Sequence, residues 1–408
     1  MRSVTSTIDV LHGFAQRTKV RSLRRFVVLA LSLHSARAEM TEVWVRRYDN
    51  LVTNAQDEAI QMALDPQGNI VVVGSSQGGF GPGQIVTVKY SADLGSVLWE
   101  RRYIGPGDSF ARAVAVDATG NVVVAGHTTS KTNGWDFYTA KYAAADGTLL
   151  WEQHHNEAKS NDEAWAVAID SKGNVAVAGT AFGGSSGYDY YTAKYAAADG
   201  ALLWERRYDR PAHGPDMVAG ATVDANDNII VTGYSAGAGN DLYDFYTVKY
   251  AAADGAVLWE KRHNGDAGGD DRAQAIKIDA NGNVAVTGIS FDPQTLYNYY
   301  TVKYAAADGA LLWEKRYNGP ASADDSATAL ALDESGNVVV AGTSMSRRCR
   351  PRLLHSQICG GRWRVAVGKA LQWSRQRARS RRRSRGWPQR ERCRYRHFPK
   401  QAVFIRVV

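Results

Sequence analysis

The chain has 408 residues, enough for two or three ordinary domains or one large β architecture, and a formal net charge of +8. That charge is unevenly spread. Residues 347–408 hold 20 Lys and Arg against one acid, Glu391, so the preceding body carries −11 and is not a basic, nucleic-acid-binding surface. All three cysteines, Cys349, Cys359 and Cys393, lie in the basic tail, which excludes disulfides, thiolate chemistry and cysteine-ligated metal from the body.

The N-terminal region reads as an export signal. Arg21, Arg24 and Arg25 precede the apolar run Phe26–Leu33, and Ala36-Arg37-Ala38 follows as a cleavage site. The run is shorter than the roughly 20 residues a membrane span requires. Residues 1–38 are therefore read as a signal peptide whose basic region is over-long, as a misplaced start codon would make it. No cysteine follows the cleavage site, so no lipid anchor is expected there. The expected location is secreted, periplasmic or on the surface of a bacterium.

From residue 39 to 346 the chain repeats. Trp44, Trp99, Trp151, Trp204, Trp259 and Trp313 recur every 52–55 residues. Asp65, Asp117, Asp170, Asp224, Asp279 and Asp333 keep the same period, each opening a turn such as DATGN or DANGN. A short alternating or apolar segment precedes each turn and another follows it. Next comes a hairpin, seen most clearly at Tyr299–Tyr317 as YYTVKYAAADGALLWEKRY, with copies at Phe137–His155, Tyr190–Tyr208 and Phe245–His263 and a looser one at Ile85–Tyr103. β-Branched and aromatic enrichment between Gly, Asp and Asn turns predicts four short strands per unit, a to d, and no helix of useful length. Asp-Gly is a strong two-residue hairpin signal. Counted from Asp146-Gly147, it sets Tyr142 opposite Trp151 and Lys141 opposite Glu152; the next copy sets Tyr195 opposite Trp204 and Lys194 opposite Glu205.

A period of about 50 residues with four strands per unit predicts an all-β fold, a β-propeller of four-stranded blades. The strand-d tryptophan is large enough to sit between blades. The pattern D-x-x-G-N-h-h-h-x-G, then Y-x-x-K-Y and L-L-W, resembles the bacterial SBBP-type β-propeller repeats. The G-x-x-L-W element is also similar to the tryptophan-docking repeats of quinoprotein, PQQ-type propellers. The resemblance runs from Glu42 to about Ser344, and both families use the repeat as scaffold.

After Ser344 the repeat stops and the Arg-rich tail begins. Back-translated and read one base later, Arg352–Ser374 admits DYYTVKYAAADGELLWEKRYNG, the missing strands c and d. Continuing through Phe398 admits another a–b pair. Trp363 and Trp373 have a single codon and are forced to glycine where the repeat requires ADG and YNG; Trp387 is a forced mismatch. The tail is thus read as repeat in the wrong frame rather than as a nucleic-acid arm, and residues 347–408 are expected to be disordered. The intended object has seven blades, of which about five and a half are in frame. The lone strand-d match at Val43–Tyr48 could close the ring.

The DxxGN and ADG turns are tight and nearly invariant, whereas the b–c loops vary. They share one face with the d–a loops, and variable loops on a rigid frame are the candidate binding face. On that face Asp57, Asp108, Asp162, Asp216, Asp271 and Asp325 precede the innermost strands, Asp108 one position early. They form either a ring at the channel mouth that binds a cation or cationic ligand, or loop carboxylates that accept backbone N–H bonds. The Asp/Asn turns, DANDN at Asp224–Asn228 above all, resemble calcium loops in composition but lack the full ligand series. Apart from calcium there, no cofactor is expected. His154, His155 and His263 fill strand-d positions held elsewhere by Arg or Tyr and read as packing variants. No G-x-S-x-G, HExxH or P-loop occurs. The expectation is a non-enzymatic interaction or structural module with a protein or glycan partner at the cell surface; the alternative is a ligand-binding or PQQ-like enzymatic propeller.

Overall fold

A computed structural model describes residues 43–366 except 49–55, 78–80, 131–133, 157–160, 211–212, 238–241, 266–267, 320–323, 347–349 and 360–361. The export-signal region and residues 367–408 lie outside the described residues. Among the described residues, six antiparallel sheets follow one another, each with four strands in the order a-b-c-d. They span 56–103, 109–155, 163–208, 216–263, 271–317 and 325–366. In the third, strand a is Glu163–Ile169, b Val175–Phe182, c Tyr188–Tyr195 and d Leu202–Tyr208. The a strands of successive sheets approach one another, so a is the inner strand and d the outer. The fold is a β-propeller, and each sheet is a blade.

Blades 1 to 4 are each fastened to the next by the strand-d tryptophan. The Trp99 Nε1–H donates to Ala144 O at 3.2 Å, and Trp151, Trp204 and Trp259 repeat the bond to Ala197, Ala252 and Ala306. The indole lies on the hairpin glycine of the next blade. A Cβ on Gly200 would stand 2.8 Å from the Trp151 ring, and this glycine also has φ +72°, so neither its conformation nor its space admits a side chain. Burying each indole contributes on the order of 2–3 kcal/mol. Farther along strand d, the terminal aromatic stacks on a strand-c tyrosine of the next blade. His155 lies 4.1 Å from Tyr191, Tyr208 4.1 Å from Tyr246, and His263 4.0 Å from Tyr300. These histidines therefore serve as interblade packing.

The hairpin register differs from the two-residue Asp-Gly count. Lys141 pairs with Trp151 and Tyr142 with Leu149, with a shift between them; Lys194 likewise pairs with Trp204 and Tyr195 with Leu202. The turn is longer. The Ala143 N–H bonds Thr148 O and the Gly147 N–H bonds Ala143 O, with Gly147 at φ +71°. The extra residue moves the lysine off the glutamate and onto the a–b turn. Lys141 Nζ lies 3.0 Å from Asp117 Oδ2 and Lys194 Nζ 2.8 Å from Asp170 Oδ2. The glutamates instead accept strand-c hydroxyls, as Glu260 does from Tyr246 at 2.6 Å.

The segment 43–48 occupies the place of a strand d preceding blade 1. The Trp44 Nε1–H donates to Ala92 O at 3.2 Å and the Arg46 Nε–H to Gly95 O at 2.8 Å, repeating what Trp99 and Arg101 do one blade later. At the other end, strands Arg350–Cys359 and Arg362–Ala366, at the start of the segment read as out-of-frame repeat, pair in turn beside Val338–Ser346. An unpaired strand b offers a row of backbone donors and acceptors that any following extended chain can meet.

Candidate functional site

The six aspartates do not share one environment. Asp162, Asp216, Asp271 and Asp325 are fully buried within their blades. They accept N–H bonds from the d–a loop or strand b: Phe182 to Asp162 at 2.8 Å, Arg210 to Asp216 at 3.2 Å, and Gly265 to Asp271 and Gly319 to Asp325, both at 2.5 Å. Asp216, Asp271 and Asp325 also take a serine hydroxyl from strand b, those of Ser235, Ser290 and Ser344. Asp57 faces Ser76 in the same register and is half-buried. Asp108 belongs to a different set. It is exposed, and its Oδ1 accepts the Gly83 N–H of blade 1 at 2.6 Å. Asn161 and Asp270 make the same interblade bond, to Trp135 and Tyr243, both at 3.1 Å. In blade 2 the buried position is held by Ser109, whose hydroxyl lies 2.9 Å from that of Thr128.

Burial acts on these carboxyls more strongly than their hydrogen bonds. Desolvation pushes Asp162 up to about 7 and Asp216 up to about 6, and raises Asp271 and Asp325 as well. The a–b turn carboxyls behave oppositely. Burial tends to raise Asp117, but bonds from Thr119, Asn121 and Lys141 outweigh it and hold the group at about 2. At the DANDN turn, the Asn226 and Asn228 N–H groups donate to Asp224 Oδ1, the Asn228 amide donates to Oδ2, and Lys249 sits 2.7 Å away. Lysine thus stands where a calcium ion would have to.

Side chains alternate along the inner strand, so the residue after each buried aspartate points the other way. These neighbours and the residues two further on vary between blades where the rest repeats. Glu163 and Trp165 of blade 3 meet Arg112 of blade 2, whose guanidinium lies 3.3 Å from Glu163 and 4.4 Å from the Trp165 ring centre. Glu163, Trp165, Tyr188 and Met217 line a recess of about 200 Å³ with Asn161 and Thr180. His127, buried beneath, is pushed down to about 4 by burial and by Arg112. Aligned on the turn aspartates, the repeats carry this variation one residue after the regularly spaced acids.

Part of the chain matches a family model. Residues 136–249 match the one described as outer membrane protein assembly factor BamB. No curated protein matches significantly. Among solved structures, BamB from Moraxella catarrhalis is 12% identical over 75% of this chain and 96% of its own, with a TM-score of 0.37. The quinohemoprotein alcohol dehydrogenase ADHIIG from Pseudomonas putida HK5 is 12% identical over 75% of this chain and 58% of its own, at 0.45. The Dos1 propeller is 10% identical over 74% and 80%, at 0.45. The match to the BamB model covers parts of blades 2 to 4.

Proposed function

We propose that the protein is an exported, non-enzymatic β-propeller that binds a protein or glycan partner at the bacterial envelope through its b–c and d–a loop face. The observation that carries this reading is the contrast along the inner strand. The buried aspartates are spent on holding loops, while their neighbours Glu58, Phe110, Glu163, Met217, Arg272 and Ser326 differ in every blade but for the repeated glutamate. A uniform frame with a varied rim suits recognition of one shaped partner. The family match to an assembly factor supports a partner-binding role, and the SBBP-like repeat pattern supports a scaffold.

The alternative is a PQQ-like enzyme with a site over the channel, which the quinoprotein-like repeats favour. Differential scanning calorimetry with PQQ plus calcium, against calcium alone, separates the two. The scaffold reading expects no added rise in Tm from PQQ. A saturable rise beyond the calcium control, with quinone-dependent dye reduction, would establish the enzyme instead.

The seventh blade belongs to the same proposal. Residues 43–48 stand in the place of a strand d with no described strands a to c beside them, and the tail read one base later supplies further repeat. The complete ring would seat those strands against blade 1.

A further inference from the structure

The junction between blades 3 and 4 is open where its two neighbours are filled. Register fixes the correspondence: Thr180, Tyr188 and Met217 stand here where Tyr234, Tyr243 and Arg272 stand between blades 4 and 5. In that next junction Arg272 fills the space. Its guanidinium lies 4.6 Å from the Tyr243 ring centre and 5.4 Å from that of Tyr234, and Asp270 answers its charge at 2.6 Å. Between blades 2 and 3 the filler is His127, stacked on Trp135 at 4.7 Å. Thr180 and Met217 fill nothing comparable, and the recess of about 200 Å³ is left.

Trp165 gives this recess a flat wall. It is the extra residue of the inner-strand bulge, between Ala164 and Ala166, and a bulge re-aims the side chain it carries. The bulges of blades 2, 4 and 5 carry Arg112, Ala219 and Gln274 instead. Arg112 reaches the indole from blade 2, whereas the recess runs toward Met217 of blade 4, so the guanidinium backs the ring from the other side. The polar lining is sparse and only partly engaged. Asn161 accepts the Trp135 N–H on Oδ1 at 3.1 Å, and Glu163 gives Oε2 to Arg112 at 3.3 Å. Among the described residues, the Asn161 amide hydrogens, Glu163 Oε1 and the Tyr188 hydroxyl are left to meet a ligand.

Charge selects the class of that ligand. A cation placed as Arg272 is would need a carboxylate beside it, but Pro215 stands where Asp270 does, and Glu163 is already paired with Arg112. Asp189 and Asp216 adjoin Tyr188 and Met217 in the chain, and alternation turns them to the opposite face. An anion would meet Glu163, with the adjacent cation already engaged. A wholly apolar group would desolvate Asn161, Glu163 and Tyr188 without bonding them. A neutral ring with an apolar face and hydroxyls around its edge meets every condition. We infer that the recess binds one sugar ring of a neutral glycan, its C–H face against Trp165 and its hydroxyls bonded by Asn161, Glu163 and Tyr188. This rests on the loop-face reading above and narrows its partner to a glycan.

The test is frontal affinity chromatography on the immobilised 408-residue chain. The probes are fluorescently labelled maltotriose, cellotriose, mannotriose and chitotriose, with a labelled arginine-bearing tripeptide as the cationic arm. Saturable retardation of at least one saccharide is expected, competed by the same sugar unlabelled, with no retardation of the peptide. Trp165→Ala should weaken that retention about tenfold or more. Met217→Arg, which places the next junction's filler in the recess, should abolish it in a chain whose circular dichroism matches the parent. A parallel assay, co-sedimentation of the same chain with purified bacterial cell envelopes, reads the loop-face proposal itself. Envelope binding without retention of any saccharide overturns the sugar site and leaves that reading standing; binding to neither overturns both. Retention of the peptide in place of the saccharides, or full saccharide retention by Met217→Arg, also overturns the inference.

Discussion

Lys194 Nζ lies 2.8 Å from Asp170 Oδ2, with 3% and 1% of the two side chains exposed. The same ammonium group donates to Ala252 O of the next blade at 3.1 Å, and the Trp204 indole donates to that carbonyl at 3.2 Å. One lysine thus satisfies a turn in its own blade and fixes the spacing to its neighbour. Lys194→Met should leave a buried carboxylate unpaired and cost about 3–5 kcal/mol in urea unfolding. Adding Asp170→Asn should recover much of that loss. Equal stability of Lys194→Met and the parent would show that the pair contributes nothing.

Acid should attack these turns in a defined window. Asp117 has a folded-state value lowered to about 2 from an ordinary 3.8. A lowered value makes a contribution that is present above pH 4 and lost as pH falls toward 2. The turn carboxyls of Asp65, Asp170, Asp224 and Asp279 are lowered as well, so the losses accumulate in that region. Stability measured by denaturant at stepped pH should fall steeply there, and less steeply in Asp117→Asn.

Asp162 should act with the opposite sign. Its folded-state value is raised to about 7 by burial, so the folded chain holds a proton that the unfolded chain releases near pH 4. Its contribution is fully present below pH 4 and is lost as pH rises through 7. Asp162→Asn keeps a neutral acceptor for the Phe182 N–H and should flatten the decline between pH 4 and 7. An unchanged slope would place the titration elsewhere.

Gly288 faces the bulge in the adjacent inner strand, where the pairing slips between Ala273 and Ala275. A Cβ at Gly288 would stand 2.0 Å from Arg272 O, a backbone atom that cannot turn aside. Gly288→Ala should destabilise by about 3 kcal/mol or more, at the upper end of overpacking costs. A shift in Tm indistinguishable from zero would mean that the bulge relaxes freely.

Much of this fold is legible in the sequence because the repeat writes each device several times. Tryptophan and turn-aspartate spacing give the blade and its strands. The partner of Lys141 is not legible, since Asp-Gly suits both a two-residue turn and the longer turn adopted, and the difference moves the partner of Lys141 by one residue and that of Tyr142, beyond the register shift, by two. The same parity hides the rim. Asp162 and Glu163 are adjacent, but alternation buries one beneath the loop and leaves the other beside Arg112. Asp108 is misassigned for a related reason, because its loop is shorter and Ser109 takes the buried position.

Completion of the ring is the point on which the account is most exposed. The most direct measurement compares the 408-residue chain with one corrected by a single base after Ser344 and extended through the seventh blade. Size-exclusion with light scattering and limited proteolysis should show the corrected chain as a protease-resistant monomer of higher Tm. The chain as written should self-associate through the uncovered apolar faces of its end blades, and its basic tail should be cut first, beyond residue 366. A compact monomer with a protected tail in the uncorrected chain, as stable as the corrected one, would contradict the account.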